Sequence, residues 1–435
     1  MSRNGSLGIL LVALTASAGA RAAAQTATPD SLRLDALYAA AQQHDPRTRE
    51  LTIRESQTAL RLRTIANERL PSVSGTAEEQ YQSVVTSFPG AVGRPGQSLL
   101  HDTFDANLQL TQTLFDPSRG AREGVERAQL ARNSADVLTA LYATRQQVNA
   151  AFFQVAELSE RHEAMRATIT DLEAQAQVAD ARVRNGSALP SELSTVKAEL
   201  LRRRQDDEQI LADRDAAMRV LADLTGVSFR TSAPVALPSL ERFVAESRAQ
   251  DTVRSRPEFA RFARSRELLA RQSEVLETQL KPRVSAFVRG GAGRPGLNIL
   301  NTTIQQYWIA GVQLQWTPLD WGHAARDREA LALERGVVDA EAQAFADALR
   351  RETTSDLATI DRLQRTLASD DEIVALREQI VRETAARFRE STITAAEYVD
   401  RQTDLLSARI TRAQHRVQLA QARANYLTTL GVQVH

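Results

Sequence analysis

The sequence has 435 residues, no cysteine, and 54 basic against 54 acidic side chains. The lack of cysteine excludes disulfides, thiolate chemistry, zinc-thiolate sites and acylation of an N-terminal cysteine. The balanced charge provides no basic surface for nucleic acid. A composition rich in alanine, leucine, arginine and glutamate, with only 5% aromatic residues, is typical of long and closely packed helices.

The N-terminus has the order of features found in a secretory signal peptide. Arg3 carries positive charge, Leu7 to Ala20 form an apolar stretch, and a run of alanines precedes Gln25. We expect residues 1–24 to be removed, because this apolar stretch is too short to span a bilayer. A retained membrane anchor is the alternative, and the weak hydrophobicity of the alanines disfavours it.

The rest of the chain contains no candidate transmembrane helix. No later stretch approaches the roughly 18 consecutive apolar residues that such a helix needs. The mean hydropathy of -0.33 agrees with this absence. Any contact with lipid must therefore be made by strands.

Two halves of the sequence repeat one another. Pro46 and Pro71 correspond to Pro257 and Pro282 at an offset of 211 positions, and each pair brackets one predicted helix. The octapeptide that ends at Asp116 corresponds to the one that ends at Asp320 at an offset of 204. Anchors that keep one order along the chain indicate an internal duplication.

A third pair of anchors fixes the ends of the repeats. Glu192 and Gly226 lie 34 residues apart, as do Glu397 and Gly431. The first repeat is predicted to span residues 25–232 and the second residues 233–435. The predicted strands are about 71–86 and 102–115 in the first repeat, and about 282–293 and 305–317 in the second. The predicted long helices are about 117–184 and 190–225, then about 321–390 and 394–430.

Strict alternation of apolar and polar residues carries the strand predictions. Phe104, Ala106, Leu108 and Leu110 alternate with polar residues, and Trp308 to Trp316 show the same period. The two tryptophans would lie roughly 26 Å apart on one face, close to the height of the lipid-facing band of a membrane barrel. The alternative is that they are core residues, which the signal peptide and the polar opposite face disfavour.

The long predicted helices need partners along their length. Each could extend near 100 Å at about 1.5 Å per residue, and such rods are stable in water only when packed. Apolar residues recur at three- and four-residue steps, as Val148, Phe152 and Val155 do in one helix and Ile373, Leu376 and Ile380 do in another.

With these features, the mature chain resembles the TolC-type outer-membrane factors over essentially its whole length. The stretches RNGSALPSEL (184–193) and RESTITAAEY (389–398) look like the helix-turn-helix tips of that family. The motifs HDP at Pro46 and SRP at Pro257 resemble its asparagine-proline motif. Ser391 replaces the glycine found at Gly186, and Ile393 replaces a polar or basic residue, so we expect the second tip to pack or open differently.

The resemblance implies a mainly α fold combined with a membrane β-barrel. Each protomer would give four strands, and a homotrimer would form one β-barrel followed by an α-helical barrel of coiled-coil helices. The sequence supports self-assembly, because four strands cannot close a barrel in lipid. Trp308, Trp316 and Phe104 are then the predicted lipid-interface aromatics.

Two acidic residues after the second tip are the main candidates for a pore constriction. Glu397 and Asp400 lie three residues apart on one helical face, and Glu192 is the counterpart of Glu397 in the first repeat. Threefold symmetry would gather six carboxylates from Glu397 and Asp400 around one mouth and favour cations there. The alternative is that they only complement the positive end of a helix dipole.

The tips are also candidate docking points for a periplasmic adaptor, as the resemblance implies. Solvent-exposed turns without a partner are the alternative. The candidate docking residues are Asn185, Gly186, Ser187, Ala188, Leu189, Ser391, Thr392 and Ile393.

No enzymatic or cofactor motif is found. The six histidines lack metal-ligand spacing, and no serine lies in a nucleophile elbow. The run Gly290 to Gly293 lacks the lysine and helix start of a phosphate loop and fits a strand-end loop better. We therefore predict neither an enzyme nor a cofactor site.

These features predict a passive outer-membrane duct with a long periplasmic portion. It would act with an adaptor and an inner-membrane transporter, as in a tripartite efflux pump or a type I secretion system. The alternative is a soluble periplasmic adaptor with a coiled-coil hairpin. An adaptor would have one central hairpin rather than two hairpins in duplicate halves.

Overall fold

The computed structural model describes residues 32–88, 97–230, 233–249, 255–299 and 301–432. The predicted signal peptide lies outside these residues. The helices are α1 Leu34–His44, α2 Arg47–Asn67, α3 Ser118–Arg184, α4 Pro190–Thr225, α5 Glu241–Ala249, α6 Pro257–Thr278, α7 His323–Arg389 and α8 Ala395–Leu430. The strands are β1 Ser72–Tyr81, β2 Ser87–Phe88, β3 Gln97–Ser98, β4 Asp102–Phe115, β5 Arg283–Arg294 and β6 Gln305–Gln315.

The duplication is visible in the lengths of the helices. α3 and α7 have 67 residues each, and α4 and α8 have 36 each. At about 1.5 Å per residue the longer helices measure roughly 100 Å. The fold is therefore mainly helical, with two repeats of helix, strand pair, long helix and shorter helix, as the sequence predicts.

Four antiparallel strands form one open sheet in the order β1-β4-β5-β6. β1 pairs with β4 from Ser72↔Thr111 to Tyr81↔Asp102, and β6 pairs with β5. β1 ends at Tyr81 rather than near residue 86 as expected, because its partner β4 begins at Asp102. Both edge strands, β1 and β6, leave one side of their backbone unpaired within the sheet.

The two faces of the sheet differ in polarity. One face carries Val73 of β1, Leu108 of β4, Val288 of β5 and Val312 of β6, all exposed. On the other face, Arg289 donates to the Gln109 side-chain oxygen at 2.9 and 2.6 Å. In the single chain, the apolar face of the sheet is therefore exposed and packs against no other element that the structure describes.

The glycines of β5 lie inside a strand, and the expectation of a strand-end loop at this point is wrong. A Cβ on Gly291 would lie 2.6 Å from the Ala106 carbonyl oxygen and 2.7 Å from Asn107 Cβ. The neighbouring strand β4 therefore approaches the backbone more closely than a side chain would allow. This close approach explains why glycine is needed within β5.

The helices attached to the sheet lie side by side in the same order as the strands they adjoin, α2-α3-α6-α7. Farther from the sheet, α3 packs against α4 and α8, and α8 packs against α7. The main core lies where α1 and the segment around Leu240 pack on α3, α4 and α8. It buries Phe152, Val155, Leu221 and Leu427 almost completely.

Residues just before α2 and α6 pack against the ends of α4 and α8. His44 lies over Gly226 at the end of α4, and Ser255 and Arg256 lie over Gly431 at the end of α8. These contacts are the structural counterparts of the HDP and SRP motifs. None of the described helices combines the length and the apolar composition needed to cross a bilayer.

Candidate functional site

The two turns farthest from the sheet have the same backbone conformation. Gly186 has φ +70° and its N–H donates to the Val183 carbonyl oxygen at 3.0 Å, while Ser391 has φ +62° and donates to Phe388 at 3.1 Å. The left-handed conformation is costly for a residue with a Cβ. Ser391 nevertheless adopts this conformation, so the two turns share one backbone geometry. Different packing or opening of the second tip stays a prediction.

The two helices that leave the turns begin differently. α4 begins with Pro190 at its first position, where the missing N–H costs no hydrogen bond. α8 follows Thr394, whose hydroxyl accepts from the Glu397 N–H at 3.2 Å. This is one half of a capping box, so Glu397 has a local role at the start of the helix.

Arg182 of α3 joins the first tip to the second. Its guanidinium donates to the Phe388 carbonyl oxygen at 2.7 Å and also to the Ser391 hydroxyl. The guanidinium lies 5.3 Å from the centre of the Phe388 ring, and it faces the Glu192 carboxylate at 3.8 Å. The Arg182 side chain is only 12% exposed. The largely buried Arg182 guanidinium thus links the ends of α3 and α7.

A small apolar core lies behind this cation. The rings of Phe388 and Tyr398 stack with centres 5.4 Å apart, and both are buried with Leu172 and Val196. Burial raises the pKa of Tyr398 to about 12. Its hydroxyl accepts from Gln402 at 2.7 Å. The two hairpins are therefore packed together right down to their tips.

The structure separates the three candidate constriction residues. Glu397 and Asp400 are both exposed on one side of α8 and form no ion pair with any residue that the structure describes. Glu192 is instead half-buried beside Arg182. Only the pair on α8 presents unneutralised carboxylates, and its place in a pore stays a prediction.

The candidate docking residues form the two exposed ends of the hairpins. Leu189 is 66% exposed although it is apolar, whereas Ala188 and Ile393 are half-buried. The remaining candidates are exposed, namely Asn185, Gly186, Ser187, Ser391 and Thr392. Docking of a partner at these residues stays a prediction.

The predicted interface aromatics are exposed on the apolar face or just beyond it. Trp308 is 75% exposed, and Phe104 and Trp316 are also exposed. Three further exposed aromatics of the described residues were missed from the sequence, Tyr81 at the end of β1, Phe115 at the end of β4 and Trp321 before α7. Phe115 and Trp321 follow the last alternating residues, so the alternation itself could not signal them.

The described residues offer no obvious site for a metal. No three His, Cys, Asp or Glu side chains among them come together in a suitable group. The described His–Asp contacts join helices within a hairpin, at 2.7 Å between His162 and Asp207 and at 2.6 Å between His415 and Asp370.

Comparison of sequences finds no matching family profile and no matching curated protein. Comparison of structures finds outer-membrane proteins instead. VceC of Vibrio cholerae matches 92% of this chain and 96% of its own, with 17% identity and a TM-score of 0.64. The open-state MtrE channel of Neisseria gonorrhoeae matches 92% and 89%, with 14% identity and a TM-score of 0.64.

A third solved structure gives the same result. The CmeC outer-membrane channel of Campylobacter jejuni matches 92% of this chain and 87% of its own, with 13% identity and a TM-score of 0.63. The matches extend over both repeats and include long helices and strands alike. The chain therefore has the fold of these outer-membrane channels, as the resemblance of its tips to the TolC-type factors predicted.

Proposed function

We propose that the chain is one subunit of a trimeric outer-membrane channel, a passive duct that leads from the periplasm to the exterior. The observation that carries this proposal is the open four-stranded sheet with an exposed apolar face. Such a face is expensive to leave in water, and an open sheet edge is prohibited in lipid. Both problems are solved when several copies close one barrel in a membrane.

The dimensions of the sheet suit this role. β5 and β6 have 12 and 11 residues, and a strand that crosses a bilayer needs about 9–11. The apolar face would contact lipid, and the face with Arg289 and Gln109 would line a watery lumen. Three copies would give twelve strands, above the minimum of about eight known for membrane barrels.

Exposed apolar side chains on the helices follow the same two edges. Ile53 and Leu60 lie on α2 at one edge, and Leu333 and Val337 lie on α7 at the other. Residues on different edges can only meet head to tail, which is the contact that closes a ring. The sequence stripe Ile373, Leu376 and Ile380 of α7 is also exposed in the single chain and would find its partner in the next copy.

The tips would then face the periplasm, at the end opposite the barrel. An adaptor, and through it an inner-membrane transporter, would dock at the exposed turns around Gly186 and Ser391. Support comes from the exposed apolar Leu189 at an extreme end of the molecule. A soluble adaptor is the competing function, and an exposed sheet face that carries Trp308 and Val312 is a liability for a soluble protein.

The proposal is tested by placing an arginine on one face of β6 or on the other. We expect Val312→Arg to lose most of the oligomer from the outer-membrane fraction, because a lipid-facing arginine near mid-bilayer costs about 2–4 kcal/mol in each subunit. Gln313→Arg, one residue along on the polar face, should assemble normally. The measurement is the amount of heat-sensitive oligomer extracted by detergent. Equal loss from both variants, or none from either, would contradict a lipid-facing apolar side.

A second test addresses the mouth of the duct. We expect Glu397→Gln with Asp400→Asn to abolish a cation preference of the reconstituted channel, because the substitutions remove six carboxylates from a trimer. Glutamine still serves at the third position of a capping box, so the start of α8 remains intact. The reversal potential in a salt gradient across a planar bilayer measures the preference.

The matched control for the mouth lies on α4. Glu208→Gln with Asp213→Asn removes the same charges from exposed positions away from both turns. We expect this variant to keep the reversal potential of the parent. An unchanged reversal potential in the variant of Glu397 and Asp400 would contradict a role in the pore and leave these residues only a local role at the start of α8.

A further inference from the structure

The end of the sheet nearest the helices forms a rim with its own chemistry. It consists of the segments before β1 and β5, residues 69–71 and 280–282, and the segments after β4 and β6, residues 115–117 and 316–322. These four segments are called the sheet rim below. The two repeats contribute equivalent halves of it.

Equivalent side chains fix the backbone of the sheet rim in both repeats. Gln112 Nε2 donates to the Arg69 carbonyl oxygen at 2.5 Å, and Trp316 Nε1 donates to the Leu280 carbonyl oxygen at 3.0 Å. The donors correspond at an offset of 204 and the acceptors at 211, the offsets of the two repeats. These hydrogen bonds fix the backbone just before β1 and β5 relative to the neighbouring strands.

Two basic side chains project from these fixed segments. Arg69 and Lys281 are exposed, and neither forms an ion pair with another residue in the described ranges. They precede β1 and β5, which are separated only by β4, so their backbones lie about 10 Å apart. A closed trimer would carry six such cations around one circumference.

The carboxylates of the neighbourhood are already occupied. Glu68 accepts from Arg122, and Asp116 lies 3.1 Å from Arg122 and 3.5 Å from Arg283. Asp320 accepts backbone N–H groups at 2.9 and 2.8 Å at the start of α7. Arg69 and Lys281 thus have no counter-ion among the described residues, and their charges remain available to an external anion.

Large apolar side chains belong to the same sheet rim. Trp321 is 78% exposed, and Leu70, Phe115 and Leu319 are exposed as well. Tryptophan is enriched where a protein passes the boundary between hydrocarbon and headgroups. Basic side chains at this level reach phosphates while their stems contact apolar groups.

We infer that the sheet rim binds the headgroup phosphates of anionic phospholipids in the leaflet that faces the helices. Arg69 and Lys281 would hold the phosphates, and Trp316, Trp321 and Leu319 would contact the upper parts of the acyl chains. This inference rests on the proposed function, because it requires the sheet to lie in a bilayer. It adds a lipid preference that an apolar sheet face alone would not produce.

The test uses the full mature protein reconstituted in vesicles, with Trp308→Phe in every variant so that Trp316 and Trp321 report on the rim. Quenching of their emission by brominated phosphatidylglycerol and by brominated phosphatidylcholine gives the relative affinity of the rim for the two lipids. We expect phosphatidylglycerol to be preferred. Arg69→Gln with Lys281→Gln should lower the preference about fivefold for each basic side chain removed.

The control removes the same two residue types elsewhere. Lys197→Gln with Arg202→Gln changes one lysine and one arginine that are exposed on α4, and it should keep the full preference. An undiminished preference in the rim variant would overturn the inference while the quenching itself still supported a sheet in the membrane. Absence of quenching by either lipid would instead contradict the proposed function.

Discussion

Gly431→Ala is expected to destabilise the protein by about 2–4 kcal/mol, because Gly431 combines a left-handed backbone conformation with a close contact to the backbone of another segment. Gly431 has φ +83°, a conformation that costs a residue with a Cβ about 1 kcal/mol. The new Cβ would lie 2.9 Å from Ser255 Oγ and 3.0 Å from the Arg256 backbone nitrogen. The Arg256 backbone nitrogen can move only if the whole segment moves, whereas the end of a flexible side chain can relieve a clash by rotating.

The surroundings of Gly431 explain why this strain would spread. Arg256 donates to the carbonyl oxygens of Thr428 and Thr429 at 3.2 and 3.4 Å, and Ser255 donates to that of Leu430 at 2.8 Å. These bonds satisfy the last carbonyls of α8, which have no partner within the helix. Displacing the segment before α6 would release all of them together.

Two other glycines supply the comparison. Gly226 is the counterpart of Gly431, but its Cβ would meet the imidazole of His44, which can rotate away, so Gly226→Ala should cost less. Gly336 lies inside α7 with nothing within 4 Å, so Gly336→Ala should stabilise by about 0.5–1 kcal/mol.

Melting of the helices, followed by circular dichroism in detergent, should therefore place the variants in a fixed order. Gly431→Ala melts lowest, then Gly226→Ala, then the parent, and Gly336→Ala highest. A Gly431→Ala protein that melts with the parent would show that the contact with Ser255 and Arg256 is not tight in solution.

The duplicated pattern explains why so much of the fold could be predicted. The anchor residues recur in the same order in both repeats, at offsets of 211, 204 and 205 positions. A helix or strand predicted in one repeat therefore supported the same prediction in the other. The end of β1 could not be predicted in the same way, because it depends on where β4 begins rather than on any residue of β1. Gly291 was misread for a related reason: the need for glycine comes from the neighbouring strand.

The candidate site was predictable in position but not in its contacts. Alternation and turn residues located the tips and Trp308, and they gave Glu397 and Asp400 a common face. They did not distinguish Glu192, whose carboxylate is half-buried beside Arg182. Contacts between residues some two hundred positions apart have no periodic signature in the sequence.

Arg182 is the clearest example of such a contact. It and Arg184 both lie in the last turn of α3, where any basic residue suits the negative end of the helix dipole. Only the packing of the first hairpin against the second at the tips decides which of the two is buried. The consequence can be measured by removing each in turn.

Arg182→Ala is expected to loosen the second tip by about 2–4 kcal/mol, because it removes charged hydrogen bonds to Phe388 and Ser391 and leaves Glu192 beside an empty space. Since 1.4 kcal/mol is a factor of ten, hydrogen exchange around Ser391 should accelerate by roughly 30-fold or more. Arg182→Lys keeps the charge but not the forked set of donors, so its exchange rate around Ser391 should lie between those of the parent protein and Arg182→Ala.

Arg184→Ala is the matched control, because its side chain is 77% exposed and pairs with Asp180 of its own helix. Its effect on exchange around Ser391 should stay within about 0.5 kcal/mol, as for most surface substitutions. If both alanine variants leave exchange around Ser391 unchanged, the buried cation does not join the hairpins. If Arg182→Ala alone accelerates it, the end of α7 is held by a residue of the other repeat, and the two tips must move as one body until that bond is broken.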